Sequence, residues 1–146
     1  MGRLYLDMNI YNRPFDDQTQ VRIRLETIAI YAILKMIKEK KYSLLWSFML
    51  EFENSMNSND DIRMEIEMSS SLASWKVKMA EDILASAKEF ESEGIKPRDA
   101  MHLACAIKGG ANYFLTCDDK LIKKAELMQG KIVILSPIDF IRLEVR

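Results

Sequence analysis

The chain has 146 residues and a mass of 17.0 kDa, the size of one domain with a full hydrophobic core. Hydrophobic residues make up 49% and charged residues 29%, a globular rather than a disordered composition. The 21 Lys and Arg residues balance 22 Asp and Glu for a net charge of −1, so any nucleic-acid contact must come from a local patch or a metal rather than from bulk charge.

The longest apolar runs, Thr27 to Leu34 and Leu44 to Leu50, fall well short of the roughly 20 residues that span a bilayer. The N-terminus leads almost at once into a strand-like segment, without a charged-then-apolar signal stretch. Cys105 and Cys117 have neither metal-type spacing nor a disulfide framework around them. The expectation is a reduced, cytoplasmic protein made of one domain over residues 1–146, with no membrane contact.

Arg3 to Asp7 is mostly apolar, which suits a strand buried on both faces and ending at Asp7. From about Gln18 to Lys40 apolar residues recur at helical spacing, and the segment closes on Lys38, Glu39, Lys40 and Lys41, where the helix dipole favours cations. Tyr42 to Trp46 predicts a second strand. Ser47 then caps a helix through Phe48, Leu50, Phe52 and Met56. After a turn at Asn57 to Asp61, a helix is expected over Ile62–Leu72, then a strand or turn near Trp75–Lys78.

Ala80 to Glu93 reads as a helix stopped by Gly94, and Pro97 opens another that Gly109 and Gly110 end. Tyr113 to Thr116 predicts a strand ending at Cys117-Asp118-Asp119, followed by a short helix from about Lys120 to Met128. Ile132 to Leu135 is the last strand, and Pro137 opens a terminal helix. Short strands alternating with longer helices predict an α/β three-layer fold, a parallel sheet flanked by helices.

In such sheets ligands bind beyond the carboxyl ends of the strands. Asp7 and Asp118 stand at strand ends, Asp99 in the first turn after Pro97, and Glu51 and Glu53 in the first turns after the second strand. Carboxylates gathered at one edge repel one another, and a divalent cation such as Mg²⁺ or Mn²⁺ is the physical reason to tolerate them. The competing explanation is that each is a helix cap or dipole partner; Asp99 after Pro97 and the pair Asp118-Asp119 both suit it.

Four blocks of the sequence resemble the PIN domains, a family of metal-dependent ribonucleases. Leu4-Tyr5-Leu6-Asp7-Met8-Asn9 is similar to the family's opening strand, and Ser47 with Glu53 six positions on resembles its second block. Arg98-Asp99-Ala100-Met101-His102-Leu103-Ala104 resembles its Asp-Ala-x-His-x-Ala helix, and Leu115-Thr116-Cys117-Asp118 its Leu-Thr-x-Asp block. The resemblance implies a sheet of about five parallel strands and a site of Asp7, Glu53, Asp99 and Asp118 binding Mg²⁺ or Mn²⁺, with Asn9 and Thr116 as polar helpers. It further implies an endoribonuclease leaving 5′-phosphate and 3′-hydroxyl ends. A chain of this length is similar to the VapC-type toxins, homodimers restrained by a small antitoxin protein. The spacing from Ser47 favours Glu53, with Glu51 the alternative for the second acid, and the family's Thr-x-Asp spacing selects Asp118 over Asp119.

His102 is the sole histidine, and the resemblance places it in the packing layer of its helix. The two cysteines read as small buried hydrophobes. Arg13 lies close enough to the first strand to meet a substrate phosphate, or it simply belongs to the loop before the long helix. A haloacid dehalogenase-type phosphatase would need Asp-x-Asp where Asp7-Met8-Asn9 stands, and a receiver domain fits the order of acids poorly. The alternative from another class is a non-catalytic interaction domain that keeps the same fold.

Overall fold

The computed structural model describes residues 2–128 and 130–145. Five parallel strands alternate with helices: β1 (Gly2–Leu6), α1 (Met8–Asn12), α2 (Val21–Lys38), β2 (Tyr42–Ser47), α3 (Phe48–Ser55), α4 (Asp60–Ser70) and β3 (Trp75–Val77). There follow α5 (Glu81–Ser92), α6 (Pro97–Lys108), β4 (Tyr113–Leu115), α7 (Asp119–Lys123), β5 (Val133–Leu135) and α8 (Pro137–Glu144). Single 3₁₀ turns occupy Arg13–Phe15 and Ala125–Met128. This is the three-layer α/β fold that the alternation of elements predicts. No helix among the described residues is long and apolar enough to cross a membrane.

The strands lie in the order β3-β2-β1-β4-β5, every pair parallel. Chain order therefore runs outward from β1 to one edge and then restarts at β4 on its other side. The switch point lies between β1 and β4, where the two loops leave in opposite directions and open a crevice at the carboxyl ends.

Alternate side chains of β1 reach opposite faces. Leu6 lines a small cavity together with Ile30 and Leu34 of α2 on one face, while Tyr5 stacks on Phe114, centroids 5.3 Å apart, and touches His102 of α6 on the other. Tyr5, Leu6, Phe114 and His102 are all essentially without solvent contact, which is why this strand is apolar almost throughout.

Three local predictions change in detail. The residues after Asp7 form α1 directly, because the Asp7 carboxylate caps it by accepting from the Met8 amide at 2.8 Å. The long helix begins at Val21 rather than near Gln18, and it buries Glu26 and Thr27 along with Ala29, Ile30, Ile33 and Ile37. Val21, Leu25 and Ile28 face outward. The helix expected from Lys120 to Met128 is α7, one short turn, followed by a 3₁₀ turn.

Candidate active site

Asp7 and Thr116 leave the adjacent strands β1 and β4 at the switch point, and three polar side chains lock the two strand ends together. The Thr116 hydroxyl donates to Asp7 Oδ2 at 2.9 Å. The Asn9 amide donates to Asp7 Oδ2 at 3.2 Å and to Thr116 Oγ1 at 3.1 Å, while its carbonyl accepts from the Cys117 amide at 3.0 Å. Thr116 Oγ1 also accepts from the Asp118 amide at 3.1 Å. Every side-chain N–H and O–H of Asn9 and Thr116 is used, so the orientation of Asp7 is overdetermined.

The clamp forms one wall of a cleft of about 610 Å³ lined by Asp7, Asn9, Lys96, Arg98, Asp99, His102 and Asp118 among others. Asp7 is 6% exposed; burial raises its pKa above the ordinary carboxylate value, against the opposing pull of His102 and the Thr116 hydrogen bond. Asp99, half-buried in the first turn of α6, is raised by burial and then by the charges of Asp7 and Asp118. Asp118 accepts from the Lys120 and Leu121 amides, so it also caps α7. The cap explanation and the site explanation thus describe the same atoms. Asp119 instead meets Arg22 through two hydrogen bonds, 2.7 and 2.8 Å, and faces away from the cleft lining.

Glu53 and Glu51 separate as two residues two apart on a helix must. Glu51 accepts from the Trp46 indole at 2.6 Å and pairs with Lys76. Glu53, its side chain 8% exposed, meets His102 Nε2 through one oxygen and the Arg98 guanidinium through the other. Burial would raise its pKa, but His102 and Arg98 together hold it below the ordinary value.

Behind Glu53 runs a chain of hydrogen bonds into the core. His102 Nδ1 lies 2.7 Å from the Tyr5 hydroxyl, which lies 2.7 Å from Ser47 Oγ, which accepts from the Leu50 amide at 3.2 Å. A carboxylate only accepts, so Nε2–H must donate to Glu53. With the imidazole neutral, Nδ1 accepts from Tyr5 and Tyr5 accepts from Ser47, so every proton in the chain points one way. His102, at 1% exposure, is therefore a core residue and a support for Glu53 at once. Sequence reading placed it in the packing layer but missed Tyr5 and Arg98; the available signal was a phenol inside the apolar run Leu4-Tyr5-Leu6.

Arg13 points away from a phosphate-binding role. It pairs with Glu26 at 3.2 Å and with Asp16 at 3.2 Å, and Glu26, buried in α2, takes Arg22 as its second partner at 3.5 Å.

The donor set suits Mg²⁺ or Mn²⁺: Asp7, Asp99 and Asp118 offer hard oxygens, and two of the three are raised in pKa in a way a nearby cation would reverse. Among the described residues no three His, Cys, Asp or Glu side chains stand close enough to ligate one ion as they are. The fit lies in donor chemistry and placement, for an ion that keeps several waters, not in a closed cage. Glu53 fits less well, since the Arg98 guanidinium already offsets its charge, whereas Asp7 is held by neutral donors, and since it lines the neighbouring cleft instead of the one that Asp7, Asp99 and Asp118 line.

The family model of the PIN domain matches residues 4–127. A chain in the crystal structure of VapBC2 from Rickettsia felis, bound to a DNA fragment from their promoter, superposes with a TM-score of 0.63 at 14% identity, over 92% of this chain and 98% of that one. At that identity the likeness shows the fold. No curated protein matches the chain.

Proposed function

The chain belongs to the PIN domain family, and from that premise we propose that it is an endoribonuclease dependent on Mg²⁺ or Mn²⁺ that hydrolyses RNA phosphodiester bonds. The observation that carries the reading is that Asp7, Asp99 and Asp118 line one cleft at the sheet's switch point, where a parallel α/β sheet puts its ligands. In this reading those three hold the ion and Glu53 stands by as a fourth acid, with Asn9 and Thr116 fixing Asp7. The bound ion supplies Lewis-acid polarisation of the phosphodiester and of water. The protein's own residues do the rest: the clamp of Asn9 and Thr116 fixes the Asp7 carboxylate at the cleft wall, and Asp99 and Asp118 bound the space a phosphate would enter.

The likeness to a VapBC2 chain supports a narrower reading, the toxin of a toxin–antitoxin pair, acting in the cytoplasm as a homodimer and restrained by an antitoxin protein. Exposed Val21, Leu25, Ile28 and Tyr31 along α2 support a protein partner, since monomers seldom leave such a row in water.

The test is cleavage of a mixed RNA pool by the purified protein with Mn²⁺, with EDTA, and as Asp7→Asn. Metal-dependent cutting lost in both controls is expected. Calorimetric titration with Mn²⁺ decides the rest: no cutting together with no binding would overturn the reading and leave a non-catalytic interaction domain.

A further inference from the structure

We propose that Arg98 is the residue that receives the RNA backbone at the mouth of the cleft, its guanidinium held in place by Glu53; this rests on the RNA reading above. Three carboxylates in one cleft repel a polyanion, so a substrate phosphate needs a cation on the rim. Of the described residues lining the cleft, Lys96 and Arg98 are the Lys and Arg side chains. Arg98 sits next to Asp99 in the first turn of α6 and also lines the neighbouring cleft beside Met56, Asn57 and Ser58, so it stands between the two.

Its side chain is 71% exposed, yet one nitrogen is fixed on a carboxylate that is 8% exposed. An exposed arginine usually loses rotamer freedom on meeting its ligand. Here that loss is already incurred, because Glu53 is itself held by His102, and His102 by Tyr5 and Ser47. The position of the guanidinium is thus set from the core outward. One guanidinium nitrogen is ion-paired with Glu53, and the side chain as a whole is open enough to solvent for a phosphate, whose geometry the fork matches, to reach it. A surface ion pair between two freely moving side chains contributes little, whereas here one partner is a buried carboxylate.

The test is a titration of a fluorescein-labelled single-stranded RNA of mixed sequence, followed by anisotropy, in EDTA and over a range of KCl. Wild type, Arg98→Ala and Arg98→Lys are compared, with a calorimetric Mn²⁺ titration of each. Arg98→Ala is expected to weaken RNA binding by about tenfold. The slope of log affinity against log salt should become shallower by about 0.7, the value of one single-strand phosphate contact. Mn²⁺ affinity should not fall, because removing a nearby cation does not disfavour another. Arg98→Lys should restore the slope and only part of the affinity, since an ammonium lacks the fork.

Unchanged RNA affinity and slope in Arg98→Ala would overturn the assignment. So would a joint loss of RNA and Mn²⁺ binding with an unchanged slope, which would mean a reshaped site. A wild-type protein that binds Mn²⁺ but no RNA would sink the RNA reading itself, and this proposal with it.

Discussion

At the scale of single residues, the site is a set of polar groups placed where polar groups are expensive. Thr116 is fully buried, donates to Asp7, and accepts from Asn9 and the Asp118 amide. Thr116→Val keeps the shape and removes all three bonds. It should cost about 1–3 kcal/mol in urea denaturation, because the partners are left unpaired, and weaken Mn²⁺ binding about tenfold or more, as loss of a ligand's support does. Mn²⁺ binding as tight as wild type would mean that Thr116 does not orient Asp7. The thiols behave as buried hydrophobes: burial pushes Cys105 up to about 12 and Cys117 up to about 11. Because the folded values lie above the ordinary thiol range, the unfolded chain releases these protons first as pH rises. Stability tied to the thiols is complete below about pH 8.5 and declines above it, at up to about 1.4 kcal/mol per pH unit for each group. Thermal melts between pH 7 and about pH 10 check the sign, and alkylation of the native protein near pH 8 should be slow beside that of the unfolded chain.

At the scale of elements, packing of α6 against the sheet sets where Asp99, Arg98 and His102 lie. Gly109 ends α6 with φ −77°, a value open to any residue. A Cβ there would stand 2.7 Å from Leu45 Cδ1 and 2.9 Å from Val77 Cγ2. Gly109→Ala should therefore cost about 1–3 kcal/mol by overpacking, and because it pushes α6 off β2 it should also weaken Mn²⁺ binding. Gly94 offers the control: its φ is +95° and its surroundings are open, so Gly94→Ala should lose stability through backbone strain alone, roughly 1–2 kcal/mol, with Mn²⁺ affinity kept. Equal effects of both variants on Mn²⁺ would count against the packing explanation. The element boundaries legible in the sequence were those with a capping or stopping residue: Ser47, Gly94, Pro97 and Pro137. The start of α2 was not, because Gln20 gives it no side-chain cap. Nor was the burial of Glu26, because its two partners are Arg13, outside the helix, and Arg22, on the helix's exposed side.

At the scale of the whole molecule, one topological fact organises the function: the chain starts in the middle of its sheet and returns to the middle at β4. That brings residues 7 and 116 into hydrogen-bond contact across more than a hundred positions. The same shape leaves the apolar row of α2 uncovered, and for the homodimer proposed above the molar mass from light scattering should be about twice 17.0 kDa. A monomer mass at all concentrations tested would remove that part of the reading. The alternation of strands and helices, and the carboxylates that stand at strand ends and first turns, follow from the order of residues alone. These are local consequences of hydrophobic periodicity, caps and stops, each readable within a dozen residues. Only the tertiary structure decided the rest. It turned Glu53 onto His102 and Arg98, gave Asp119 to Arg22, drew Arg13 to Glu26, and aligned Ser47, Tyr5 and His102 into a single hydrogen-bonded line. The reason is physical: a buried polar group takes whichever partner the fold brings within reach, and which elements the fold brings together depends on the sheet order, which no local pattern specifies.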